Sequence, residues 1–150
     1  MKQQCFVAMQ EIALQTREEF DKGFDQEGMT GEAKWSEVAR RTSGTPFYEK
    51  QVAFGINNAS GKPFMVDQGA DWRDRNILTG TNRQLRGNNR IKVVTSRRAV
   101  IENKTAYAEY INEGTPYMSA RPFIMQTPYL TQMQLAILLK ETGRVWQLKP

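Results

Sequence analysis

Phe6, Met9, Ala13, Thr16, Phe20 and Phe24 recur at intervals of three or four, so a helix of 3.6 residues per turn gathers them into one stripe. A strand, with its period of two, scatters them across both faces. The spacing predicts a helix over residues 4–25, ended by Gly28 and Gly31. Gln10, Glu11, Arg17, Glu18, Asp21, Lys22 and Asp25 form its solvated side. Such a one-sided rod needs a partner, either its own core or a subunit–subunit face. A second helix is expected near the other end, over residues 128–141. There Leu130, Met133, Leu135, Ile137 and Leu138 give a broad apolar stripe, Pro128 suits the first turn and Gly143 the stop. Between the two lies the clearest strand pair, Arg90 to Ser96 and Ala99 to Lys104, joined through Ser96-Arg97-Arg98. Ile91 and Val93 alternate there with Arg90 and Lys92, so one face is wet and the other needs a covering surface. The expected fold is α+β: a small twisted antiparallel β-sheet packed with a long N-terminal helix and a C-terminal helix.

The 150 residues suffice for one core, and 39% apolar with 25% charged residues is the balance of a globular chain. A single domain spanning residues 1–150 is expected. Glu32 to Arg41 reads as a short helix centred on Trp35 and Val38, with the tryptophan anchoring the connection to the core. Residues 43–75 change texture: glycines and prolines alternate with Val52-Ala53-Phe54 and Phe64-Met65-Val66. Phe47, Tyr48, Phe54, Phe64 and Trp72 are too many aromatics for a linker, so a hairpin or ordered arm is expected. Val145-Trp146-Gln147-Leu148 reads as a last edge strand. No apolar run is long enough for a signal peptide or a membrane span, which leads us to expect a chain that stays in the cytoplasm. The lone Cys5 cannot close an internal disulfide and is expected on a helix face.

The sequence from Tyr107 to Ile124 combines a short helix with a sharp change of direction. Thr105 is placed to cap the helix, Tyr107 with Tyr110 and Ala108 with Ile111 share faces, and Gly114 is expected to close it in the left-handed conformation. Pro116 and Pro122 exclude a continuing helix, and Arg121-Pro122-Phe123 reads as extended. Tyr-Ala-x-Tyr-Ile-x-x-Gly-Thr from Tyr107 to Thr115, followed by Met118 and Ala120-Arg121-Pro122-Phe123, resembles a family of tailed-bacteriophage morphogenesis proteins, the tail-completion or head–tail joining proteins. The order of long helix, Trp35, Leu85-Arg86, strand hairpin, motif and C-terminal helix also fits that family, outside residues 43–75. Family members often carry Thr-Gly directly followed by x-Leu-Arg, whereas here Thr81 to Gln84 separate Thr79-Gly80 from Leu85-Arg86.

The resemblance implies a structural virion protein of the neck, assembled in the host cytoplasm, with no enzymatic activity and no cofactor. It implies a homo-oligomeric ring, sixfold to match tail symmetry or else twelvefold, holding capsid to tail while double-stranded DNA passes non-specifically. Its neighbours would be head-completion or connector proteins and tail-terminator or tail-tube proteins. Within the motif, which includes Thr115, backbone shape would be set by Gly114 and Pro122, Tyr107 and Phe123 would anchor the core, and Arg121 would satisfy carbonyls. Alternatively, the loop from Gly114 to Arg121 would project as a contact surface.

Enzyme chemistry has little to rest on. The chain has no histidine, the commonest general base and metal ligand near neutral pH, and no Cys-x-x-Cys, P-loop or dinucleotide motif. Asp67, Asp71 and Asp74 lack the ligand spacing of a calcium loop and read as a solvated, glycine-interrupted segment. Charge is more informative. Seven of the 21 basic residues and none of the 16 acidic ones fall between Arg75 and Ile101: Arg75, Arg83, Arg86, Arg90, Lys92, Arg97 and Arg98. With Asn82, Gln84, Asn88 and Asn89 as neutral donors, this strip fits phosphates, an acidic neighbour in an assembly, or a plain solvated face. The resemblance favours the assembly contact; a basic nucleic-acid-binding module is the alternative.

Overall fold

The computed structural model describes residues 1–37, 43, 52–56, 63–67, 84–116 and 119–146, with the backbone alone at 52–56, 63–67 and 84. The architecture is α+β. In chain order the elements are α1 (Lys2–Gln26), β1 (Val52–Ile56), β2 (Pro63–Asp67), α2 (Gln84–Gly87), β3 (Asn89–Val94), β4 (Ala99–Asn103), α3 (Ala108–Glu113) and α4 (Pro128–Thr142). The chain groups into two compact units, one made of residues 1–35 and 78–150 and the other of residues 36–77. The second unit holds the antiparallel hairpin β1–β2, in register from Val52 opposite Asp67 to Ile56 opposite Pro63. Pro63 sits at a strand end, where its missing N–H costs the ladder least. The aspartates at 71 and 74 lie outside the described residues.

The larger unit is organised around α1 and α4, which run antiparallel. Ala8 and Ile12 pack against Ile137 and Leu138 near one end, and Phe20 packs with Leu130 and Met29 near the other. The buried residues of α1 are Ala8, Ile12, Ala13, Thr16, Glu19, Phe20, Gly23 and Phe24. The aromatic stripe is therefore only partly the core face: Phe20 and Phe24 are buried, but Phe6 is exposed and Met9 half-buried. Four of the eight buried residues, Ala8, Ala13, Thr16 and Gly23, are small and carry little hydropathy signal. Polar ties run along the same seam: the Gln134 amide donates to Thr16 Oγ1 (3.2 Å), and Lys140 pairs with Glu11 (3.3 Å). Thr127 starts α4 by accepting the Leu130 N–H on its hydroxyl (3.1 Å), Pro128 fills the first turn, and Gly143 ends it at φ 68°.

The end of α1 differs from the glycine stop. Glu27, not a glycine, takes the left-handed conformation (φ 56°). Gly28 is needed for proximity instead, because a Cβ there would meet Lys34 Cα at 3.0 Å and the Ala33 carbonyl at 3.1 Å. The chain comes straight back: the Trp35 amide donates to the Glu27 carbonyl at 2.7 Å. This return covers the carbonyl of Glu27 at the C-terminal end of α1, and Glu32 to Glu37 are not helical, contrary to the expectation for that segment. Val38 to Arg41 lie outside the described residues. Trp35 does anchor the connection. Its ring meets Phe24 edge-on at 5.9 Å, Phe24 meets Phe123 at 5.4 Å, and the indole N–H donates to the Pro122 carbonyl at 2.8 Å.

β3 and β4 pair from Asn89 opposite Asn103 to Val94 opposite Ala99, with Lys92 as an extra residue between Ile91 and Val93. This bulge breaks the expected alternation: Lys92 and Val93 are both exposed, and Asn89, Ile91 and Val94 are the less exposed positions. The turn is closed by Thr95, whose N–H donates to the Arg98 carbonyl (2.8 Å) while its hydroxyl accepts the Arg98 N–H (3.0 Å). Val145 and Trp146, expected in an edge strand, are in no strand.

Candidate functional site

The motif that follows β4 divides into buried and exposed residues. Ala108 and Phe123 are buried, Phe123 to 1% exposure. Tyr107 and Tyr110 are 42% and 60% exposed, so Tyr107 is not the core anchor expected of it. It stands at the N-terminal boundary of α3, three residues from Tyr110, and with Tyr110 on the outward face. Glu109 and Glu113 are also exposed, giving α3 an outer surface of aromatic and carboxylate groups. Thr105 does not cap this helix with its side chain. Its carbonyl accepts the Ala108 N–H (2.9 Å), and its hydroxyl accepts from the Asn88 amide (3.1 Å). Gly114 has φ 82° and ψ 179°, a positive-φ extended conformation rather than the left-handed helical one expected, and its N–H donates to the Tyr110 carbonyl at 2.9 Å.

The return after Gly114 is fixed by backbone bonds. The Arg121 N–H donates to the Ile111 carbonyl (2.9 Å), and Asn112 Oδ1 accepts the N–H groups of both Phe123 and Ile124 (3.0 Å each). Arg121 is buried, so it does not project from the loop; Thr115 and Pro122 are half-buried and Ser119 and Ala120 exposed. Tyr117 and Met118 lie outside the described residues.

The basic strip is divided too. Arg86 forms a two-pronged bond to Asp25 of α1, at 2.6 and 2.8 Å. Lys92 pairs with Glu102 across the hairpin at 2.8 Å, and Lys104 lies 3.6 Å from the same carboxylate. The hydrogen bond from Lys92, with the two nearby ammonium charges, holds the Glu102 carboxyl below the usual glutamate range. Asn88 and Asn89 turn their amides toward the protein: Asn88 donates to Thr105 (3.1 Å), and the buried Asn89 donates to Asp21 (2.8 Å) and accepts from Asn103 (2.8 Å). Among the described residues Arg90, Arg97 and Arg98 are exposed and in no ion pair. Arg83 and Asn82 lie outside the described residues, as does the side chain of Gln84.

Compared with models of known protein families, with characterised proteins and with solved structures, the chain matches none.

A groove of about 660 Å³ lies where the first turns of α1, the β3–β4 turn and the end of α4 meet. Among the described residues, Cys5, Met9, Leu138 and Trp146 give it apolar lining, and Lys2 and Arg97 are its basic side chains. Trp146 is held in place by its indole N–H, which donates to Thr142 Oγ1 at 2.8 Å. The signal for this groove was dispersed over four segments, none of them unusual alone. No three Cys, Asp or Glu side chains converge among the described residues, and no described helix is long and apolar enough to cross a membrane.

Proposed function

We propose that this chain is a structural subunit of a tailed-phage neck, a tail-completion or head–tail connector protein that closes into a ring. The observation that carries the reading is the division of the Tyr107–Ile124 motif. Ala108 and Phe123 hold it to the core while Tyr107 and Tyr110 stay on the surface of α3 with Glu109 and Glu113, which form no ion pair among the described residues. Exposed tyrosines are suited to subunit contacts, since the ring buries well and the hydroxyl tolerates partial wetting. The role is mechanical: the ring, sixfold or else twelvefold, joins the capsid side to the tail side and leaves a passage for DNA. Head-completion or connector proteins flank it on one side, tail-terminator or tail-tube proteins on the other. The test is to delete the coding sequence from the genome that carries it and image the particles. DNA-filled heads and separate tails are expected; joined virions at normal yield would overturn the reading.

The three unpaired guanidinium groups, Arg90, Arg97 and Arg98, favour a second reading as a basic nucleic-acid-binding module. Three phosphate contacts imply a log–log salt slope of roughly −3 for duplex DNA. Binding that survives Arg97→Glu with Arg98→Glu would remove this alternative.

A further inference from the structure

The groove and the outer face of α3 are opposite in charge and alike in carrying apolar groups. The groove offers Met9, Leu138 and Trp146 together with Lys2 and Arg97. The face offers Tyr107 and Tyr110 together with Glu109 and Glu113, the two carboxylates one helical turn apart. Both acids are exposed and neither forms an ion pair among the described residues.

They also lie at opposite ends of one rod. The groove takes Lys2 and Cys5 from the start of α1 and Arg97 from the hairpin turn. α3 is tied through Asn112 to Phe123, which packs on Phe24 at the end of α1. From Lys2 to Phe24 the helix rises about 33 Å. α3 likewise follows the end of β4 remote from that turn. One molecule therefore cannot satisfy its own groove with its own face; two copies docked head-to-tail leave one of each unfilled, whereas a reciprocal antiparallel pair leaves none.

We propose that the groove is the socket for α3 of a second copy of this chain, with Tyr110 seated among Met9, Leu138 and Trp146 and with Glu109 and Glu113 meeting Arg97 and Lys2. Under the ring reading the contact is head-to-tail rather than reciprocal, so it propagates to a closed ring or a filament, and a species that stops at two copies would overturn that arrangement. This rests on the ring reading above and names the surfaces that build it.

The test is the solution mass of the full chain and of two charge-reversed variants, Arg97→Glu with Lys2→Glu and Glu109→Arg with Glu113→Arg. All four side chains are exposed, so unfolding midpoints should match the unaltered chain. Each variant alone should lose the oligomer, with association weakened at least tenfold. Mixed together they should assemble again with the two chains alternating, because the unaltered face of the first fits the unaltered groove of the second and the reversed groove of the first fits the reversed face of the second. Carrying all four changes in one chain should restore the oligomer. Variants that keep the unaltered mass would overturn this contact while leaving the ring reading in place. An unaltered chain that stays monomeric at millimolar concentration would overturn the contact as well, and the particle test would then judge the ring reading separately.

Discussion

Phe123 and Tyr110 stand in one motif and should respond to truncation in opposite ways. Phe123 is 1% exposed and packs on Phe24, so Phe123→Ala should lower unfolding stability by about 3–5 kcal/mol in denaturant titration. Tyr110→Ala should change the stability of the dissociated chain by no more than about 0.5 kcal/mol, and its effect should appear in association instead. Trp35→Phe removes the indole N–H that satisfies the Pro122 carbonyl and should cost about 1–2 kcal/mol. Trp35 was legible as an anchor because an isolated tryptophan between two loops has few other uses. Tyr107 was misread because hydropathy alone does not tell which side of a six-residue helix faces the core. Asn112 was not legible at all: its role depends on two backbone N–H groups eleven and twelve residues away.

Helix and strand positions were legible where end signals and periodicity agreed. α4 is bounded by Thr127, Pro128 and Gly143, and Thr127→Ala should cost about 1 kcal/mol through the lost cap. The hairpin was placed correctly, but its bulge at Lys92 was not, since an extra residue leaves no mark on composition. The bulge has a measurable consequence through Lys92 and Glu102. Glu102 titrates below its ordinary value in the folded chain, so the pair contributes fully above the unfolded glutamate value of about 4.3. That contribution is lost as pH falls through the lower folded value. Unfolding midpoints of the parent chain and of Glu102→Gln should therefore converge as the solution is acidified below about pH 4. A gap that stays constant with pH would show that the pair adds nothing. The segment from Glu32 to Glu37 was misread as helical because local propensity does not register the tertiary bond from the Trp35 amide to the Glu27 carbonyl at the end of α1.

For the molecule as a whole, the α+β layering was legible from the two end helices and the strand pair between them. The electrostatics were not. A run of basic residues without a nearby acid in sequence suggested an open positive strip, yet Asp25 reaches Arg86 across 61 residues of chain. Among the described residues of that run, those left unpaired are Arg90 on β3 and the Arg97–Arg98 turn, and Arg97 borders the apolar groove. A groove at one end of α1 and an acidic, aromatic helix at the other are the means by which a small chain could build a collar from one repeated contact. The account stands or falls on that self-association. The most direct measurement is the mass of the unaltered chain by native mass spectrometry across a concentration series, with imaging of the largest species. A closed species of six copies, or of twelve, is expected, whereas a single mass equal to one chain at every concentration would contradict the account.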